Sequence, residues 1–329
     1  MSGLSPQLSP IPKARAAEDR LRPARTVASS PTSTAERISL RRRPTVVIDM
    51  GCYTWKLGYA GEIAPRWRIR ALHHCWEDWT PDELEMFLGH VLFDRLLIGP
   101  PVSSESWGDT RFLVLENMFT PRYIRDMVSD LLGRRFRCKW RTITLGAPLS
   151  LYLIGQPTAL VVDIGHSSAR VTPVFACVPL MDAAVESDAF KEVESNMHQL
   201  VRASKGVVSS EIFKVSSAMV EAVKKCPIDV RRIVAQRLFF IGGRSGDSSL
   251  KTDVIGEFTS LVSTELLPNF TSESIAVFES VPRVQPSDIA WTGASIYGSM
   301  PASQPGPSKG SQTAQVMGIR VVDWISTFQ

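Results

Sequence analysis

Two segments of this chain repeat one pattern of strand, turn and strand. Residues 46–59 read VVIDMGCYTWKLGY and residues 160–174 read LVVDIGHSSARVTPV. In each segment a short run rich in β-branched apolar residues ends in Asp-x-Gly, passes through small or polar residues and resumes as a second run. Strand propensity on both sides of a glycine-containing turn predicts a β-hairpin. The sequence therefore predicts two hairpins, with Asp49 at the turn of the first and Asp163 at the turn of the second.

Two such hairpins that face each other are suited to holding a phosphate group. The backbone N–H groups of glycine-containing turns converge on phosphate oxygens, and carboxylates are ligands that Mg²⁺ prefers. The pair therefore predicts a cleft with a phosphate clamp, to which each hairpin contributes one aspartate.

The composition indicates a globular protein large enough for two lobes. The chain has 329 residues, of which 44% are hydrophobic and 21% charged. No apolar run approaches the roughly 20 residues that span a bilayer, so no membrane insertion is expected. The five cysteines form no Cys-x-x-Cys pair. They predict free thiols in a reducing compartment rather than disulfides or a zinc site.

The positive charge is concentrated in the first 43 residues. This segment holds nine basic and three acidic residues, a net charge of +6, which leaves −2 of the chain's +4 for the remainder. Because it is also rich in Ser and Pro, we expect a disordered tail. Its functional interpretations are a basic arm for an acidic partner, a nuclear-import signal at Arg41–Arg43, or a transit peptide. The favoured interpretation is a solvated, poorly ordered extension.

The rest of the chain alternates strands and helices, which predicts an α/β fold. The clearest helix start is Thr80-Pro81-Asp82-Glu83, which has a capping threonine, a proline in the first turn and a glutamate that can cap back. Further strands are predicted at 67–70, 111–115, 140–145, 237–241 and 275–278. Further helices are predicted from 120, and over 147–154, 187–203, 209–224 and 248–267.

Beyond the hairpins, two later segments make the pattern specific. Phe240-Ile241-Gly242-Gly243 and the run IAWTGASI at 289–296, taken with the hairpins, resemble the actin and heat-shock-chaperone ATPase superfamily. The resemblance covers residues 44 to about 300 and implies an actin-like two-lobed fold with reduced upper subdomains. The organisation expected from it is a disordered basic tail over 1–43, a first lobe over 44–178, a shortened second lobe over 179–289, and a crossover helix, linker and tail over 290–329 that return to the first lobe.

The resemblance also implies a nucleotide site. The hairpin turns correspond to the two phosphate loops of the superfamily, and the double glycine corresponds to its adenosine loop. The residues that keep the family's types are Asp49, Gly51, Lys56, Asp163, Gly165, Gly242 and Gly243. They would hold a structural adenine nucleotide, with Mg²⁺ held through Asp49 and Asp163 and no metal site beyond that. In the alternative, no nucleotide is bound, Lys56 pairs with one aspartate and the other aspartate caps a turn.

Departures from the family pattern argue against ATP hydrolysis. Cys52 and Tyr53 add bulk to the first turn, where backbone must approach phosphate closely. The second turn has His166 where the family has another aspartate, and an imidazole does not replace a carboxylate in Mg²⁺ coordination. Gly146 stands where actins carry the glutamine that positions the attacking water. We therefore expect that the protein is not an enzyme.

Three further segments resemble the divergent actin-related proteins, of the ten/eleven type, at the pointed end of the dynein activator dynactin. These segments are 91–97, 226–231 and 320–324. The links between Arg70 and Thr80 and between Pro179 and Cys226 are much shorter than in actin. A protomer that lacks these upper surfaces can dock on a filament end but cannot be extended.

The resemblance implies a cytoplasmic, cytoskeletal pointed-end cap that takes part in dynein-based transport. Its partners would be actin-related filament subunits and the other pointed-end subunits of dynactin, with dynein contacted indirectly and no nucleic acid bound directly. The alternative is a divergent actin-related subunit of a nuclear chromatin-remodelling complex, which the basic tail would suit. An active sugar-kinase-like or chaperone ATPase is disfavoured by His166 and Gly146.

Overall fold

The structure is a computed structural model that describes residues 45–96, 110–138, 140–190, 206–300, 313–316 and 319–322. The predicted basic tail over 1–43, the linker at 304–311 and most of the helix predicted over 187–203 lie outside these residues. A short antiparallel pair is formed near the end of the chain by β12 (Thr313–Val316) and β13 (Ile319–Val322).

The first sheet contains the first predicted hairpin. Its strands are β1 (Thr45–Met50), β2 (Thr54–Tyr59), β3 (Trp67–Arg70), β4 (Arg111–Glu116) and β5 (Trp140–Leu145), in the spatial order β3-β2-β1-β4-β5. The first three strands are antiparallel, and β4 and β5 extend the sheet in parallel from β1. The first hairpin and the predicted third strand are confirmed.

The second sheet repeats the order of the first around the second predicted hairpin. Its strands are β6 (Ala159–Ile164), β7 (Ala169–Phe175), β8 (Val178–Pro179), β9 (Val185–Ser187), β10 (Arg237–Ile241) and β11 (Ala276–Phe278), in the order β11-β10-β6-β7-β8 with β9 also paired to β7. Here too an antiparallel hairpin is extended by two parallel strands. The repeated pattern in the sequence thus corresponds to a repeated sheet topology.

Helices cover the sheets and join them. The α-helices are α1 (Pro81–Gly89), α2 (Arg122–Asp130), α3 (Gly146–Ser150), α4 (Gly206–Lys225), α5 (Ile228–Ala235), α6 (Ser248–Glu265) and α7 (Ile289–Ser299). Helices α1 and α2 continue as single π-helical stretches, His90–Arg95 and Leu131–Arg135. Among the described residues, no helix has the length and apolar character needed to cross a bilayer.

Helix α1 begins where the sequence predicts. The Thr80 side chain accepts a hydrogen bond from the Glu83 backbone N–H at 3.3 Å, and the Glu83 carboxylate accepts from the Thr80 backbone N–H at 3.1 Å. This reciprocal cap satisfies two helix N–H groups that would otherwise have no partner. The helix then buries Leu84, Phe87 and Leu88 against the first sheet.

Helix α7, the predicted crossover helix, packs closely on the first sheet. Trp291 is fully buried, and its indole N–H donates to the Val47 carbonyl on β1 at 3.1 Å. The next turn contains Gly293, where a Cβ atom would lie 2.8 Å from the backbone Cα of Ser150 on α3. A side chain at this position would therefore separate α7 from α3.

The chain passes from the first sheet to the second between Leu145 and Ala159, because the second hairpin pairs with β10. Two features differ from the sequence-based expectations. Helix α5 was not predicted. Ser187, the predicted first residue of a helix, ends strand β9.

Candidate functional site

The ends of the parallel strands from both sheets meet at one cleft. Strands β1 and β4 of the first sheet and β6 and β10 of the second point their carboxyl ends toward it, the usual place for a ligand in an open α/β sheet. The cavity has a volume of about 320 Å³, at the small end of ligand sites. All the residues predicted for the nucleotide site line it: Asp49, Gly51, Lys56, Asp163, Gly165, Gly242 and Gly243.

The first turn carries a tight ion pair. Asp49 and Lys56 lie opposite each other in the β1–β2 register, and the Lys56 ammonium lies 2.6 Å from the Asp49 carboxylate. Both side chains are nearly buried, with exposed fractions of 12% for Lys56 and 15% for Asp49. Burial alone would lower the pKa of Lys56, but Asp49, assisted by Asp288 and Asp163, raises it above its ordinary value.

Gly51 is required by the close turn of the first hairpin. A Cβ atom at this position would lie 2.5 Å from the Thr54 carbonyl oxygen. The structure therefore explains this glycine by the geometry of the turn itself, without a ligand.

The second turn carries a matching ion pair. Asp163 lies opposite Arg170 in the β6–β7 register, and the guanidinium donates to the Asp163 carboxylate at 3.1 Å and to Glu186 at 3.0 Å. Burial would lower the pKa of Arg170, but Asp163 and Glu186 raise it. Gly165 closes the turn with an N–H to Ser168 carbonyl bond of 3.0 Å.

The double glycine packs against this second aspartate. Gly242 has φ +93° and ψ 163°, a conformation that is essentially restricted to glycine. A Cβ atom here would lie 2.5 Å from the Ile164 carbonyl oxygen and closer still to the Asp163 carboxylate. Gly243, by contrast, faces open space within the cleft.

The two turns contact each other directly across the cleft. The rings of Tyr53 and His166 stack with centroids 4.0 Å apart and planes 20° from parallel. Beside them the Cys52 sulfur lies 3.9 Å from the Ser167 hydroxyl oxygen. Cys52, Tyr53 and His166 are the departures from the family pattern that the sequence places in the turns.

Two further carboxylates near the cleft also have arginine partners. Glu116, at the end of β4, accepts from Arg125 at 2.7 and 2.9 Å, and burial raises the pKa of Glu116 despite this partner. Asp288, just before α7, is bound by Arg68 of β3 through two hydrogen bonds. Gly146 lines the cleft at the start of α3 and has no side chain with which to orient a water molecule.

These residues do not fit Mg²⁺ and a triphosphate between the two turns. Each turn aspartate is already paired with a buried cation, whereas Mg²⁺ needs carboxylate oxygens that can face it and its waters. The stacked Tyr53 and His166 rings leave no space for a phosphate group between them. The Asp49–Lys56 pair is the one expected in the nucleotide-free alternative, although Asp163 binds Arg170 rather than only capping a turn.

Sequence reasoning missed Arg170 and the ring stack. Arg170 had a signal, because it follows Asp163 by the same seven positions that separate Lys56 from Asp49. The contact between Tyr53 and His166 had none, since it joins residues in different hairpins. Arg244 was also missed: it donates to the His166 carbonyl at 3.1 Å and fixes the second turn to the segment after β10.

Part of the chain matches a known protein family. Residues 75–212 match the family described as Actin, a range that contains the second hairpin but not the first. The chain therefore contains an actin-family domain, and the expected actin-like α/β fold is confirmed. Members of this family usually bind a nucleotide with Mg²⁺.

Three curated relatives are similar at low identity. Actin-related protein 7 of Oryza sativa subsp. indica is 32% identical over 98 residues, 30% of this chain and 25% of the relative. Actin-like protein 9 of Homo sapiens is 26% identical over 187 residues, 48% of this chain and 45% of the relative. Actin-related protein 7 of Arabidopsis thaliana is 26% identical over 142 residues, 43% of this chain and 34% of the relative. The chain spans less than half the length of each of these relatives.

Proposed function

We propose that this protein is a non-hydrolysing actin-related protein that acts as a structural subunit rather than an enzyme. The observation that carries this proposal is the state of the two phosphate turns. Their aspartates are paired with Lys56 and Arg170, and their tips are joined by Tyr53 and His166. Hydrolysis needs donors at the phosphates, a held metal ion and a side chain that orients water. In this cleft the turn aspartates are paired with cationic side chains instead of being free to hold a metal ion, and Gly146 has no side chain that could orient a water molecule.

Steady-state ATP turnover tests the absence of hydrolysis. Phosphate release by the purified chain with Mg²⁺ and ATP should not exceed that of a heat-denatured sample, with conventional actin as the positive control. Sustained turnover that is abolished in both Asp49→Asn and Asp163→Asn would overturn the proposal, because it would show that the turn aspartates still serve catalysis.

For the finer function we propose a cytoplasmic cap at the pointed end of the dynactin actin-related filament. The support is the resemblance of three chain segments and the absence of an upper subdomain between β3 and α1. That link holds only a 3₁₀ turn at Trp76–Asp78. A subunit without the upper filament surface presents one docking face and ends the filament. Its partners would be filament subunits and the other pointed-end subunits, with dynein reached through them.

The second candidate is a subunit of a nuclear chromatin-remodelling complex. The net charge of +6 in the first 43 residues favours it, because a basic segment suits nuclear import or an acidic partner. The names of the similar proteins indicate actin-related proteins and do not mention dynactin.

Affinity purification of the full chain from native extract separates the two candidates. If the chain is a dynactin cap, the identified proteins are dynactin and dynein subunits, and the chain sediments with the intact complex. Recovery of chromatin-remodelling subunits without dynactin would contradict the dynactin cap and support the chromatin-remodelling subunit. A second preparation that lacks residues 1–43 tests whether the basic segment makes the association.

A further inference from the structure

The two phosphate turns belong to different sheets, yet they touch through side chains. Tyr53 and Cys52 follow β1, and His166 and Ser167 follow β6. The ring stack of 4.0 Å and the Cys52–Ser167 approach of 3.9 Å lie side by side. The contact thus has two adjacent parts, both formed by the tips of the hairpins.

The first turn is anchored to its own sheet. The Arg70 guanidinium lies 5.1 Å from the centroid of the Tyr53 ring, and the His74 ring lies 4.9 Å from it. The Tyr53 carbonyl accepts a hydrogen bond from the Ala71 N–H at 2.9 Å. The end of β3 and the segment that follows it therefore hold Tyr53 in place from the side of the first sheet.

The second turn is anchored to the second sheet. The His166 carbonyl accepts from Arg244 at 3.1 Å, and the guanidinium of Arg244 lies 4.7 Å from the ring centroid of the buried Phe190. The two rings are thus supported from both sides of the cleft and meet in its middle.

The charges of the turns are balanced without any ligand. Asp49 is paired within its own hairpin by Lys56, and Asp163 within its own by Arg170. Two unpaired carboxylates at the cleft would repel each other and require a cation between the turns. Because each is neutralised locally, the turns can approach each other with no metal ion present.

We propose that Tyr53 and His166 form a strut that takes the place of the phosphate groups and holds the two halves of the cleft together in the ligand-free protein. The closed cleft is then a permanent state of this chain rather than one that a nucleotide induces. This goes beyond the lack of hydrolysis, since a protein can lose catalysis and still need a nucleotide to close. A permanently closed cleft gives a structural subunit one fixed shape.

Disulfide trapping across the turns tests the strut. The variant Ser167→Cys places a second thiol beside the native Cys52, and a disulfide requires two sulfur atoms to come within bonding distance. The matched control is Ser168→Cys, because the adjacent Ser168 hydroxyl is directed to Glu186, to which it donates at 3.1 Å. Both variants are oxidised mildly, and the linkage to Cys52 is identified by peptide mass.

Cross-linking in Ser167→Cys should be at least about tenfold faster than in Ser168→Cys. It should also be unchanged by excess Mg²⁺ and ATP. Equal rates in the two variants would overturn the proposal, because the turns would then not be held together. Protection from cross-linking by Mg²⁺ and ATP would overturn it as well, because a ligand would then displace the strut.

A double-mutant cycle gives a second readout that does not depend on disulfide geometry. Tyr53→Ala, His166→Ala and the double variant are unfolded with urea. The coupling expected for a stacked ring pair is about three- to tenfold in the unfolding equilibrium constant. Effects that multiply independently to within about 1.5-fold would refute the strut. Failure of either test leaves the proposal of no hydrolysis standing, because ATP turnover is measured separately.

Discussion

The packing of Gly242 against the second turn makes a strong prediction about stability. In the Gly242→Ala variant the residue would keep φ +93° and ψ 163°, which costs a non-glycine residue about 1–3 kcal/mol. The new methyl group would also lie 2.5 Å from the Ile164 carbonyl oxygen and press on the Asp163 carboxylate. Forced overpacking of this kind costs about 1–3 kcal/mol more. We therefore expect a loss of about 2–6 kcal/mol in the free energy of unfolding.

Thermal and urea unfolding measure this loss against a matched neighbour. In Gly243→Ala, no heavy atom lies within 4 Å of the new Cβ atom, so the change should stay within about 0.5 kcal/mol. At about 2 °C per kcal/mol for a chain of this length, Gly242→Ala should lower Tm by about 4–12 °C. If both variants unfold within about 0.5 kcal/mol of each other, the contact between the double glycine and the second turn is refuted.

Three further experiments have expected outcomes. Gly256 lies on an exposed position of α6, and no atom lies near the methyl group that Gly256→Ala would add. This variant should stabilise the protein by about 0.5–1 kcal/mol in urea unfolding, and a loss of stability would contradict the open surroundings of Gly256. Pairing with Asp49 raises the pKa of Lys56 in the folded protein. The stability that this pair contributes is therefore complete at pH values below the pKa of lysine in the unfolded chain, about 10.4, and is lost as the pH rises through the folded pKa. The difference in unfolding free energy between the native chain and Lys56→Met should therefore be constant from pH 7 to about 10 and shrink above pH 10. A difference that grows above pH 10 would contradict a raised pKa for Lys56. Finally, burial raises the pKa of the Cys138 thiol to about 12, whereas Cys75 is exposed. A thiol reagent should therefore label Cys75 in the native protein and reach Cys138 only on unfolding, which peptide mapping can check.

Local sequence signals predicted the elements that frame the cleft. Each hairpin was visible because strand propensity and a glycine turn lie within about fifteen residues. The start of α1 was visible because Thr80 and Glu83 satisfy each other's backbone groups. Helix α5 was missed because Ile228, its first residue, is 82% exposed, so its apolar residues do not all lie on the buried face.

The sequence predicted residues that line the cleft, but it did not predict how these residues contact one another. The family resemblance identified Asp49 and Asp163, and the structure places both at one cavity. The sequence alone left open what would face them, because Lys56 could pair with an aspartate or contact a phosphate. The closure of the turns depends on Tyr53 meeting His166, more than a hundred residues away. No pattern in one sequence encodes such a contact before the fold brings the hairpins together.

The nucleotide content of the purified protein tests the central claim most directly. The chain is purified with Mg²⁺ and ATP present throughout, freed of unbound nucleotide and denatured, and the released material is resolved by anion exchange. Because the turn aspartates are paired with Lys56 and Arg170 and the Tyr53 and His166 rings join the two turns, we predict far less than one adenine nucleotide per chain. About one ATP or ADP per chain in repeated preparations would contradict the account.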